Sequence, residues 1–233
     1  MHPEHNFQKF YTVKPGDIYV EVGAALGSTA FQLPVTARKI LIEASPINAD
    51  YLDHRIQVNE LGNAVVIRTA IASTKGTMAF RMMGPRHVSE NRLVDSPSTK
   101  LALQQNEERG KPPTWNDHGE PVGWGAYTIQ VPTDTLEGIL DGIGRYEADM
   151  FFGLDHIDLL ASDCESCEFD MVKYAGKWLD PKKVRNWAIG AYHIPGREPE
   201  LFKALQDAGY QTETDLGGGA FHGPQLVIYG LSP

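Results

Sequence analysis

Ile18-Tyr-Val-Glu-Val-Gly23-Ala-Ala-Leu-Gly27-Ser-Thr29 decides how this chain is read. A short apolar run of strand-forming residues enters a turn with glycines at 23 and 27, and Ser28 and Thr29 then suit the opening of a helix. Glycine at both positions lets the backbone approach a bound molecule closely, and the free N–H groups of a following helix would face polar or anionic groups. A second apolar run, Arg38-Lys-Ile-Leu-Ile-Glu43, ends on an acid 22 positions after Glu21 (43 − 21). Nucleotide-binding α/β folds place at this spacing the carboxylate that holds a ribose hydroxyl pair. The two runs together predict an adenosine-bearing ligand.

Outward from this stretch, the order of elements is strand, helix, strand. His5 to Tyr11 suits a short helix, and Lys14-Pro-Gly-Asp17 is a turn that launches the first strand. Pro34 cuts the helix after the glycines short. Ser45-Pro46 caps a second helix, with Ile47, Tyr51, Leu52, Ile56 and Val58 as its apolar stripe. Ala64 to Ala70 reads as a third strand, and Thr77 to Met82 as an extended piece that pairs with Tyr127 to Val131. A threonine cap in Thr133-Asp-Thr135 opens the next helix, and Ile157 to Asp163 is a fourth core strand. The helix from about Ser166 carries Phe169, Val172 and Trp178 on its apolar side; Val184 to His193 is a fifth strand. A helix with Leu201, Phe202 and Leu205 follows, then strands at Tyr210 to Thr214 and Gln225 to Tyr229. Such alternation predicts an α/β fold with a mostly parallel sheet and helices on both faces, whose ligands gather at the carboxyl ends of the strands. Glu21, Glu43, Asp163 and His193 all fall at such ends.

With 233 residues, 42% of them hydrophobic, the chain suits one domain, 1–233. Residues 83–125, rich in Pro, Gly, Asn, Ser and charge, break the pattern and read as a lid or acceptor-side insertion, or as an insertion without a part in the chemistry. A net charge of −9 speaks against nucleic acid, whose binding rests on clustered Lys and Arg. No apolar run approaches a membrane span, so the expectation is a cytoplasmic protein with a small-molecule partner and no membrane partner, with a homo-oligomer left open. Cys164-Glu-Ser-Cys167 has redox spacing, but Asp163, Glu165 and Glu168 surround it with negative charge that opposes thiolate formation.

Five blocks, in order, carry a resemblance to a known family: Val13 to Gly27, Ile42-Glu-Ala-Ser-Pro46 with Asn59 downstream, Thr69-Ala-Ile-Ala-Ser73, Val131-Pro-Thr-Asp-Thr-Leu136, and Ile157 to Glu168. They resemble class I S-adenosylmethionine-dependent methyltransferases, and more narrowly the FkbM family. The resemblance implies a Rossmann-like fold with a seven-stranded sheet whose last strand is antiparallel, and an insertion before the fourth core strand. It implies that Glu21, Gly23, Ala24 and Gly27 surround the methionine part of S-adenosylmethionine, with Ser28 and Thr29 beside them. Glu43 would hold the ribose, Ala44 and Ser45 would border the adenine, and Ala70 and Ile71 would pack near it. Asp163 would face the transferred methyl, with Glu165 and Glu168 completing an Asp-x-Glu-x-x-Glu pattern. The chain departs from the family in Glu21 (usually Asp), in Ser166-Cys167 (usually Gly-Ala), in Ala161-Ser162, where a lysine often precedes the aspartate, and in Ala191 before Tyr192-His193, where relatives often carry glutamate.

For O-methylation of a small hydroxylated metabolite, His193 is expected as a neutral general base, with Asp163 or Glu165 orienting substrate or imidazole. Arg86, His87, Trp115 and Trp124 in the insertion, with Glu168, are expected on the acceptor side. Plainer readings stand beside these: His193 satisfying a strand end, Asp163 capping a helix, and Glu165 and Glu168 as a solvated first helical turn. No metal is expected: His87, His118 and Asp117 have no ligand spacing, and acids at 163, 165 and 168 would not share one helix face. The rival functions are an NAD-dependent oxidoreductase, disfavoured because Gly23-Ala-Ala-Leu-Gly27 lacks Gly-x-Gly-x-x-Gly, and a catalytically silent S-adenosylmethionine-binding protein.

Overall fold

In a computed structural model that describes residues 6–82, 92–93, 127–146, 153–219 and 223–233, the strands are β1 (Ile18–Val22), β2 (Arg38–Ile42), β3 (Ala64–Ile67), β4 (Ala70–Ile71), β5 (Gly76–Met82), β6 (Arg92–Leu93), β7 (Tyr127–Asp134), β8 (Leu159–Ser162), β9 (Asn186–Gly190), β10 (Gln211–Gly219) and β11 (Gly223–Leu231). The helices are α1 (Pro46–Val58), α2 (Leu136–Tyr146), α3 (Glu168–Lys173) and α4 (Glu198–Asp207). Seven strands form the main sheet in the order β10-β11-β9-β8-β1-β2-β3, with β11 antiparallel to both of its neighbours and the other pairs parallel. This is the expected Rossmann-like α/β arrangement.

The central strands are buried on both faces, which is why β1, β2, β8 and β9 read as near-continuous apolar runs. Ile18, Val20 and Val22 point into one core with residues of α2, α3 and α4. Tyr19, Leu41, Leu159 and Ala188 point into a second core, closed by Phe7, Val13, Ala30, Leu33 and Leu52. Since β1 lies between β2 and β8, the strand order reverses there, and the loops leaving β1 and β8 meet at the switch point.

A second sheet, β4-β7-β5-β6, lies before β8 in sequence. The expected pairing of Thr77–Met82 with Tyr127–Val131 is present as antiparallel β5 and β7, with Phe80 opposite Ile129. It closes a small core of Ala70, Ala72, Phe80, Met82, Leu93 and Val131.

Local elements depart from the sequence reading where turn chemistry or partners overrule periodicity. Residues 6–11 contain turns and bends and no helix. The helix expected from Ser28 is a single 3-10 turn, Ala30–Gln32, because Pro34 removes the next donor. In α1 the buried side chains are Asn48, Ala49 and Leu52, whereas Ile47, Tyr51 and Val58 are exposed, so most of the apolar stripe faces solvent. The third strand ends at Ile67, and Ala70–Ile71 pairs with β7 in the second sheet instead. Trp178 is buried but sits in a separate 3-10 turn, since the chain leaves α3 and passes Gly176 with φ +52°. The threonine cap of α2 is Thr135, whose Oγ1 accepts from Gly138 N at 2.9 Å.

Candidate active site

The loop after β1 is built from backbone. Gly23, Ala25 and Gly27 have φ of +78°, +45° and +72°, a left-handed sequence that only glycine adopts without strain. Gly23 N donates to Ile42 O at 3.0 Å, tying the loop to the end of β2. A Cβ at Gly23 would overlap the carbonyl oxygen of Asp163 and stand 2.9 Å from Cys164 Cα; one at Gly27 would meet the Phe31 ring at 2.6 Å. Ala24 is buried beneath the loop, Ser28 is exposed and Thr29 is buried.

Glu43 clamps this loop to α1. Its Oε2 accepts from Ala25 N at 2.8 Å and its Oε1 from Ser45 N at 2.7 Å. Burial pushes its carboxyl up to about 7, and the hydrogen bonds from Ser45, Ala25, Asn48 and Ala44 pull the other way. Ser45 is buried as the N-cap of α1, its Oγ accepting from Asn48 N at 3.4 Å, so its side chain is tied to the helix. Ala44 stays partly open. Ala70 and Ile71 are buried in the cores around β4.

Glu21 is enclosed under the glycine loop. Strand alternation turns it to the same face as Tyr19, beneath the glycine loop and not into it, against Tyr19, Thr29 and the backbone of Ala30. Burial raises its carboxyl to about 8, more than those hydrogen bonds lower it.

The loop after β8 is built from side chains. Asp163 N donates to Val22 O at 3.1 Å, prolonging the β1–β8 pairing, and Cys164 and Cys167 are joined by a disulfide that the spacing alone did not establish. Glu165 and Ser166, between the two cysteines, take φ of +55° and +87°. Glu168 opens α3 and is fully buried, not a solvated helical turn: its Oε1 accepts from Cys164 N at 2.9 Å and meets His193 Nδ1 at 2.9 Å. The other ring nitrogen, Nε2, faces Asp163 Oδ1 at 3.4 Å and Glu165 Oε1 at 3.6 Å. Tyr192, singled out by nothing in the sequence reading, donates its hydroxyl to Asp163 Oδ1 at 2.7 Å, with its ring 4.2 Å from that of His193 between centroids.

The electrostatics revise the expected role of His193. Burial lowers an imidazole, but Glu168 and Glu165 outweigh it and hold His193 well above its ordinary value. These carboxylates favour the protonated ring, in the direction opposite to that asked of a neutral base. The Tyr192 hydroxyl is driven upward by burial and by Asp163, so it stays a donor. The structure therefore gathers Asp163, Glu165, Glu168 and His193, and sets them beside Gly23. Arg86, His87, Trp115 and Trp124, with His118 and Asp117, lie outside the described residues. None of the helices among the described residues is long and apolar enough to cross a membrane.

No protein-family model matches the chain. Among curated proteins it is similar to the methyltransferase sdnD of Sordaria araneosa, 25% identical over 204 residues, which cover 84% of this chain and 74% of that protein. Among solved structures it is similar to the methyltransferase FkbM of Methylobacillus flagellatus KT, with a TM-score of 0.58 at 14% identity, covering 95% of this chain. The match spans 45% of that longer chain, so this protein corresponds to under half of it. The strand order, the antiparallel β11 and the likeness to the solved structure show that the chain has a class I methyltransferase fold.

Proposed function

We propose that this chain is an S-adenosylmethionine-dependent methyltransferase acting on a hydroxyl of a small metabolite such as a sugar or polyketide. One observation carries the reading. The Glu43-clamped glycine loop and the His193–carboxylate cluster leave neighbouring strands at the same end of the sheet, with the backbone of Gly23 against that of Asp163 and Cys164. A donor half and an acceptor half are thereby adjacent.

The residues present fit the cofactor. Glu43 brings a carboxyl to the end of β2, where a ribose would lie, Gly23 and Gly27 keep the loop free of side chains, and Ala44 leaves room beside the start of α1. When bound, S-adenosylmethionine supplies an electrophilic methyl on sulfur. That methyl would pass to the acceptor oxygen with S-adenosylhomocysteine as the leaving group, and the carboxylates of Asp163 and Glu165 beside His193 would receive the hydroxyl proton. The protein's share is alignment and proton acceptance. Tyr192 fixes Asp163 and Glu168 fixes His193, so the groups facing the acceptor are oriented before it arrives.

Calorimetry with S-adenosylmethionine, S-adenosylhomocysteine and NAD tests the donor half, with micromolar binding of the first two expected. Tighter binding of NAD would overturn the reading. Turnover of labelled methyl donor on a panel of hydroxylated metabolites tests the acceptor half; binding without any turnover would identify a silent binder.

A further inference from the structure

We propose that His193, Asp163 and Glu165 form a divalent-cation site of mixed nitrogen and oxygen donors, with Glu168 holding the imidazole in place from behind. The proposal concerns the acceptor half of the site and rests on the methyltransferase reading only for its use, not for its existence.

Three observations point to a ligand. His193 Nε2 is buried without a hydrogen bond among the described residues, and the side chain is 8% exposed. It faces Asp163 Oδ1 at 3.4 Å and Glu165 Oε1 at 3.6 Å. These gaps miss hydrogen-bond geometry, yet they are close to the roughly 3 Å that separates adjacent ligands about an ion bound at about 2.1 Å. Secondly, the opposite nitrogen, Nδ1, is tied to Glu168 Oε1 at 2.9 Å, and that oxygen is itself fixed by Cys164 N. A ligating histidine has this arrangement, its second nitrogen held by a carboxylate so that the first points at the metal. Thirdly, Asp163 and His193, two of the three proposed ligands, belong with Glu168 to a cluster whose ligand atoms all lie within 4.8 Å of one another.

Charge points the same way. Three carboxylates surround one imidazole, and burial of such an excess is costly unless a cation joins it. The side chains of Asp163 and Glu165 are 27% and 20% exposed, so the face opposite Glu168 opens outward and leaves positions for water or an acceptor oxygen. The objection that acids at 163, 165 and 168 cannot share a helix face does not apply, because α3 begins at Glu168 and the other two lie on the loop before it. One imidazole with two carboxylates suits Mn2+ or a related first-row ion better than a purely oxygen-seeking one.

The test is titration of the full chain, stripped with chelator and without reductant, with MnCl2, following free Mn2+ by its electron paramagnetic resonance signal. One equivalent is expected to bind, with His193→Gln and Asp163→Asn abolishing uptake and Glu168→Gln weakening it roughly 10–100-fold. Calorimetry with S-adenosylhomocysteine on the same samples shows that each variant is folded and separates the two readings. Protein that binds S-adenosylhomocysteine but takes up no Mn2+ at millimolar concentration overturns the cation site alone. Uptake unchanged by His193→Gln and Asp163→Asn overturns it as well. Mn2+ uptake lost in those variants, in a wild-type protein that ignores S-adenosylhomocysteine, supports the cation site and removes the methyltransferase reading.

Discussion

The loop after β1 and the loop after β8 sit side by side at one end of the sheet, and they are held in opposite ways. The first is a backbone structure: left-handed glycines, amides gathered by one carboxylate, and few side chains that reach outward. The second is a side-chain structure, in which a disulfide, a buried glutamate and a histidine fix two partly exposed carboxylates. The contrast suits a division of labour, since an invariant donor asks only for a fixed cradle, whereas an acceptor is chosen by the side chains that face it. It also means that the two halves should fail differently.

The largest failure is expected where they touch. Gly23→Ala asks for an unfavourable φ and puts a methyl onto the backbone of Asp163 and Cys164, an obstacle no rotamer change relieves. Binding of S-adenosylhomocysteine should fall by more than about 100-fold, with a clear drop in melting temperature, because several kcal/mol of strain exceeds the 1.4 kcal/mol that each tenfold represents. Normal affinity in Gly23→Ala would break the picture of a backbone cradle.

How much of each half was legible in the sequence follows from the same contrast. Gly23, Gly27 and Glu43 announced themselves because glycine and a strand-end acid have few other reasons to recur at that spacing. The seven-stranded sheet was legible because its central strands are buried on both faces. The surroundings of Glu21 were not legible: a position on β1 fixes which face a side chain takes, but the thin 3-10 turn above it, which lets Thr29 and Ala30 close over its carboxylate, is not visible in periodicity. The stripe of α1 misled because Asn48 is buried in place of Ile47 and Tyr51. Tyr192 carried no signal, since its role depends on Asp163 arriving from a strand 29 residues earlier.

The buried acids sharpen the comparison through pH. Glu21 and Glu43 are raised to about 8 and about 7 from 4.5, so between 4.5 and those values the folded chain keeps protons that the unfolded chain has released. Stability must then fall as pH rises through that window. His193, raised above 6.5, adds in the same direction: its contribution is complete below 6.5 and is lost as pH climbs through its folded value. At about 1.4 kcal/mol per pH unit, Glu21 alone accounts for on the order of 5 kcal/mol, or roughly 10–20 °C in a domain of this size. Melting curves from pH 5 to 9 should show this decline, and Glu21→Gln should flatten about half of it. A wild-type protein more stable at pH 8.5 than at pH 5.5 would refute the assignment.

Glu168→Ala probes the other half. It leaves His193 facing two carboxylates without its anchor and removes the acceptor of Cys164 N, and losing one partner of a buried pair costs about 3–5 kcal/mol. Denaturant unfolding should register that loss while S-adenosylhomocysteine, held by the cradle, binds within about threefold of wild type. An equal collapse of cofactor affinity would show that the two loops act as one unit.

The smallest effect is the most discriminating. Reducing the Cys164–Cys167 disulfide opens a ring of four residues, for which the chain-entropy relation gives about 2 kcal/mol. The consequence for the site is conformational: Glu165 and Ser166 hold left-handed φ inside that ring, and without the crosslink nothing obliges non-glycine residues to stay there. Glu165 should leave the vicinity of His193 Nε2, whereas the contacts of Glu43 with Ala25 and Ser45, on a different loop, are untouched. Dithiothreitol, or paired Cys164→Ser and Cys167→Ser substitution, should therefore slow methyl transfer severalfold at saturating donor while leaving S-adenosylhomocysteine affinity within about twofold. If affinity falls as far as turnover, the disulfide supports the cradle through the Gly23–Cys164 contact, and the boundary between donor and acceptor halves lies elsewhere.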